Sequence, residues 1–92
     1  MSFPTDPHLA NLQQQRKRAK DLRRAHHEGQ IEAAVRIARY LPRARSQSPE
    51  QVLRSEFRLS EAQFVVAREA GFSSWPSMKH HIEQAALNQR YR

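Results

Sequence analysis

Arg16, Lys20, Arg23, Arg24 and His27 recur at spacings of three and four residues, with Lys17 beside them. On a helix such spacing gathers side chains on one side. A row of cations on one face is what a row of phosphates requires, although such faces are more often simply solvated. Four more arginines follow, Arg36, Arg39, Arg43 and Arg45. Residues 16–45 hold ten basic residues against Asp21, Glu28 and Glu32, which is the whole net charge of +7. Residues 46–92 are nearly balanced, with six basic and five acidic. The field of the N-terminal half favours nucleic acid, an acidic protein surface or anionic lipid. Gln and Ala surround the stripe on helix one, leaving no aromatic on which a base would stack. That helix also lacks the Trp or Phe that would insert into a bilayer, which disfavours membrane adsorption.

Other chemistry is thinly represented. His26-His27 and His80-His81 are adjacent pairs. Neighbours on a helix point about 100° apart, so such a pair chelates one ion poorly. Glu61 and Glu69 are eight residues apart on one helical run and point to different sides, so they form no carboxylate pair. Cysteine is absent, and the two glycines form no phosphate loop or nucleophile elbow. A chain of 92 residues is also small for a deep pocket. The expectation is a protein that is not an enzyme and holds no metal or cofactor. The lack of Cys suits a reducing compartment, and with no secretory leader or apolar span the cytoplasm is the default.

The elements that must position these residues read as helices throughout. Residues 1–7 carry two prolines and no periodicity, which predicts a disordered tail. A single helical domain spans 8–88, and 89–92 form a frayed end. Helix one covers His8 to His27, with Leu9, Leu12, Ala19, Leu22 and His26 inward and Gly29 past its end. Helix two covers 30–41, with Ile31, Ala34, Val35, Ala38 and Leu41 as its apolar face and Ile37 at the border. Pro42 ends it, and "RARSQS" is a polar connection. Ser48-Pro49-Glu50-Gln51 reads as cap, first-turn proline and capping-box partner, opening a short helix to about residue 55. Ser60-Glu61-Ala62-Gln63 repeats that grammar before "FVVAREA", a helix apolar nearly all round and hence central. Ala62, Val65, Val66 and Ala70 share one side of it and Phe64 the other. Glu69 projects near the apolar side and needs a hydrogen-bonding partner there. The last helix runs from about Pro76 to Asn88, capped by Trp75, with Trp75, Met78, Ile82, Ala85 and Ala86 inward.

The corner "REAGFSSWP" invites comparison with a DNA-reading helix-turn-helix. Gly71, Ala67, Val66, Ala70 and Phe72 fit that pattern. The positions expected to be buried six and nine residues after the glycine are Ser77 and His80, which do not fit. The outer face of the last helix offers Ser77, Lys79, His80, Glu83 and Gln84, too neutral a surface for phosphates. A structural corner of Arg68, Glu69, Gly71, Phe72, Trp75 and Pro76 is the simpler reading, with Phe72 and Trp75 pinning two helices.

"LSEAQFVVAREAGFSSWPSMKHHIE", with the upstream "LQQQRKRAKDLRRAHHEG", resembles a helical module near the N-terminus of some bacterial ankyrin-repeat and glyoxalase-like proteins. The resemblance rests on Ala67-Arg68-Glu69, Gly71-Phe72 and Ser74-Trp75-Pro76, with Met78 in place of the usual Leu. It implies a compact accessory module that often precedes a partner domain, and no specific biochemical activity. No repeat or enzyme domain follows within these 92 residues.

Together these readings predict an all-α orthogonal bundle of four or five short helices. Its core centres on Phe64, Val65, Val66, Phe72, Trp75, Met78 and Ile82, closed by helices one and two. Truncating Trp75 to Ala is then expected to cost roughly 3–5 kcal/mol. Arg68 and Glu69 brace the corner. The function expected first is docking on a protein partner or a fused domain. The alternative is nucleic-acid binding through helix 16–27 and the 36–45 arginine run, with 60–88 as a helix-turn-helix-like corner.

Overall fold

The structure, a computed structural model, describes residues 12–90, and side chains as far as Ala85. The expected tail at 1–7, the first turn of helix one with Leu9, Ala86 of the last inner stripe, and residues 91–92 lie outside these. Five α-helices make an all-α bundle: α1 (Leu12–His27), α2 (Ile31–Tyr40), α3 (Pro49–Arg54), α4 (Leu59–Glu69) and α5 (Trp75–Arg90). There is no strand among the described residues.

The helix ends follow from local chemistry. α1 and α4 stop in the same way. Gly29 at φ 76° and Gly71 at φ 95° take the left-handed conformation that glycine adopts without strain. In α1 the Gly29 amide donates to the His26 carbonyl and Gln30 to Ala25. In α4 the Gly71 amide donates to Arg68 and Phe72 to Ala67, the paired bonds of a Schellman ending. α3 opens on the expected box: the Gln51 amide donates to Ser48 Oγ at 3.2 Å, and the Ser48 amide to Gln51 Oε1 at 2.8 Å.

Two helix starts differ from the sequence reading. α4 is capped by Arg58, not Ser60. The Arg58 amide donates to Glu61 Oε1 at 3.0 Å, while a guanidinium has no lone pair to return the favour. One half of the box is therefore enough here, because Glu61 satisfies an otherwise unpaired amide. α5 is capped by Ser74, not Trp75, with the Ser77 amide reaching Ser74 Oγ at 3.3 Å. A hydroxyl accepts where an indole cannot, and Pro76 in the first turn sacrifices no intrahelical bond.

The core is more aliphatic than expected. Ala19, Leu22, Ala33, Ala34, Ile37, Leu41, Ala44, Val52, Phe57, Ala62, Val65 and Val66 form the larger buried cluster. Ala67, Met78 and Ile82 form a smaller one under α5. Phe64, Phe72 and Trp75, expected at the centre, are only half-buried at the rim. Small Ala and Val side chains line the facing sides of α1, α2 and α4, which leaves these three rings no room between them, whereas Phe57, in the connection from α3 to α4, is buried. Trp75 packs against both clusters and so spans the seam between them.

α2 is rotated from its expected orientation. It buries Ala33, Ala34 and Ile37, with Leu41 following, while Ile31 and Val35 remain 48% and 45% exposed. Ile37 belongs to the interior and not to its border. The connection after α2 is not purely polar either. Pro42–Ala44 forms a 3-10 turn that inserts Ala44 into the core.

Candidate functional site

The cationic stripe on α1 is built as its spacing implied. Arg16, Lys20, Arg23, Arg24 and His27 are all exposed, while Ala19 and Leu22 on the adjoining side are buried. Lys20, Arg23, Arg24 and His27 line a shallow groove of about 380 Å³ whose remaining wall is Leu59, the first residue of α4. Leu59 is half-buried against the larger core cluster. An adjoining groove of about 320 Å³ shares Arg23 and His27 and reaches His26, Leu53, Ser55, Glu56 and Phe57. Leu59 was not foreseen as part of any site, because only the packing of α1 on α4 brings it beside residues some 35 positions earlier.

The second group, Arg36, Arg39, Arg43 and Arg45, does not act as one cationic run. Arg36 grips Glu69 with two bonds of 2.7 Å, from Nε to Oε2 and from Nη2 to Oε1. Arg43 grips Glu61 in the same fashion at 2.8 and 2.9 Å, and its Nη2 also donates to the Glu56 carbonyl. Bidentate bonds of this kind bind a guanidinium to its carboxylate directionally as well as by charge. Both guanidiniums are held more firmly protonated than usual, first by these hydrogen bonds. Arg39 and Arg45 are exposed. Lys17, too, is engaged, with Asp21 at 3.1 Å. The sequence pattern showed the charges and not which of them would be neutralised, because the pairs join residues far apart in the chain.

Glu69 thus finds the partner its near-apolar position demanded, but on α2. Arg68 does not brace the corner. It is exposed on α4, and the clamp that secures this end of α4 is Arg36–Glu69. Phe72 lies against the His81 ring at 5.2 Å. Ser77 and His80 are both exposed, while Met78 and Ile82 are buried, so the α4–α5 corner does not have the buried register of a helix-turn-helix.

The Arg43 hydrogen bonds hold the Glu61 carboxyl below the usual carboxylate range, aided by the Arg58 amide and opposed by partial burial. The folded state therefore binds its proton more weakly than the unfolded chain. The contribution is complete above the ordinary carboxylate value and disappears as pH falls through the lowered one. Acid titration of the thermal midpoint should show an acid limb that is shallower in Glu61→Gln than in the parent. Superimposable acid limbs would exclude this linkage. The pair is partly exposed, so solvent screening keeps the effect small.

The two histidine pairs divide their duties. His26 Nε2 donates to the Val52 carbonyl at 2.8 Å, since a carbonyl only accepts, and its ring tilts against Phe57 at 5.1 Å. This contact fastens α1 to the end of α3. His27, His80 and His81 are exposed. No group of three His, Asp or Glu side chains is placed to hold a metal ion among the described residues. Nor is any helix long and apolar enough to cross a membrane among them.

One inward position was missed outright. Gln15 is wholly buried, and neither its Oε1 nor its Nε2 has a hydrogen-bond partner among the described residues. The signal was present, since Gln15 stands three residues after Leu12 and four before Ala19 on the inward stripe. Compared with known proteins, the chain matches no family model, no curated protein and no solved structure.

Proposed function

We propose that this chain is a non-catalytic interaction module that works in the cytoplasm and docks on a protein partner or a neighbouring domain through the outer stripe of α2. The observation that supports it is the second apolar stripe of that helix. α2 already buries Ala33, Ala34 and Ile37 within the fold, yet it keeps Ile31 and Val35 half-exposed one turn apart. Two large aliphatic side chains on successive turns form the anchors by which a helix docks in a partner's groove. Exposed Glu32 and Arg39 flank them, so the complementary surface is an apolar cleft rimmed by both signs of charge. The absence of Cys supports the cytoplasmic assignment.

Site-directed photo-crosslinking in the native host tests the reading. A benzophenone amino acid replacing Val35 should give a discrete adduct to one protein, and the same label replacing exposed Gln51 should not. Val35→Glu should abolish that adduct when the label is carried at Ile31, while shifting stability by less than about 0.5 kcal/mol, as surface changes do. No adduct from position 35, or the same adducts from positions 35 and 51, would refute docking by this stripe.

A further inference from the structure

We propose that the groove between α1 and the start of α4 binds the phosphodiester backbone of duplex DNA without reading its sequence. This surface lies apart from the α2 stripe and does not depend on it. Four cationic or protonatable side chains, Lys20, Arg23, Arg24 and His27, converge there on successive turns of one rigid helix. None of them forms an ion pair among the described residues. Four carboxylates of the fold are engaged elsewhere: Asp21 with Lys17, Glu56 with Arg58, Glu61 with Arg43, and Glu69 with Arg36; Glu28, one turn beyond Arg24, accepts from the Gln30 side-chain amide at 3.2 Å. The fold thus withdraws most of the nearby acid, and with Glu28 at one edge the field of this face stays positive.

The spacing suits a strand of phosphates. Arg16, Lys20, Arg23 and His27 advance by three or four residues, roughly 5–6 Å of helix rise per step, for a span of about 16 Å. Phosphates of one DNA strand advance by about 3.4 Å per base pair along the axis, so the span covers about five of them and its four side chains can meet three or four. Leu59 gives the groove an apolar wall against which sugar edges can rest. No aromatic lines that groove, and Phe57 in the adjoining one is buried at 6% exposure. Stacking on splayed bases is therefore not on offer, which favours a duplex over a single strand.

Fluorescence anisotropy with a labelled mixed-sequence duplex of about 20 base pairs tests this by salt dependence. Three to four phosphate contacts set the expected slope of log affinity against log salt near −3. Lys20→Glu should weaken binding about tenfold at low salt and flatten the slope by about one. Arg68→Glu makes the same change in net charge at an exposed position nine residues beyond Leu59 on α4, and should change affinity less than twofold. Circular dichroism should show both variants folded. Absence of binding at low salt overturns the proposal. An equal loss from Arg68→Glu assigns binding to net charge and overturns the groove. A single strand binding as tightly as the duplex overturns the choice of ligand.

Discussion

Trp75→Ala should lower the free energy of unfolding by about 3 kcal/mol, near the lower bound for large aromatic truncations. The indole is half-buried, which argues against the upper values, but it is placed where two interiors meet. On one side lies the cluster of α1, α2, α3 and α4, and on the other Ala67, Met78 and Ile82. Removing the ring opens the seam and takes packing from both. For a domain of this size the melting midpoint should fall by roughly 12–24 °C. Trp75→Phe keeps part of the bridge and should fall between the two. Since Trp75 is the sole tryptophan, the variant must be followed by far-ultraviolet circular dichroism in a denaturant titration. A loss under about 0.5 kcal/mol, the scale of an ordinary surface change, would show that the indole does not join the clusters.

Gln15→Met should have the opposite sign, raising stability by about 1–2 kcal/mol. The native amide is fully enclosed, with both polar atoms unpaired among the described residues. Burying an amide without hydrogen bonds forfeits its hydration and gains nothing in return. Methionine has nearly the same length and volume, so it removes the polar atoms without opening a cavity. Along α1 the side chain stands between Leu12, which packs on the smaller cluster, and Ala19 in the larger. Gln15→Ala is the control, since it removes the amide but leaves a void and should recover little or none of the gain. A lower chemical-denaturation midpoint for Gln15→Met than for the parent would show that the amide makes a bond that matters.

Much of the fold is legible in the sequence because its signals are local. Gly29 and Gly71 mark helix ends by a backbone conformation few other residues take. Ser48 and Gln51 announce α3 across a gap of three residues. Spacing alone found the exposed row on α1. What periodicity misjudged was rotation and depth. α2 carries apolar residues around more than half its circumference, so its pattern fits two orientations, and contact with α3 and α4 chose the one that buries Ile37. Ring size suggested a central Phe64 and Trp75, but the close approach of alanine-bearing helices moved both outward. The least legible features join distant positions. Arg36 and Glu69 are 33 residues apart, and no local pattern reveals which arginine a given carboxylate will hold. The candidate groove depends on that distribution as much as on the basic residues themselves.

The attachment of α5 has a consequence for how the molecule breathes. Among its described side chains the inward anchors, Trp75, Met78 and Ile82, fall in the first eight residues, and Glu83, Gln84 and Ala85 after them face solvent. Residues 83–85 thus add about 4–5 Å of helix that its own backbone bonds hold without burial. Opening of the protein is therefore graded along α5. The exposed stretch at 83–85 unwinds at little free-energy cost, the first two turns detach with the small cluster, and the four-helix body yields last.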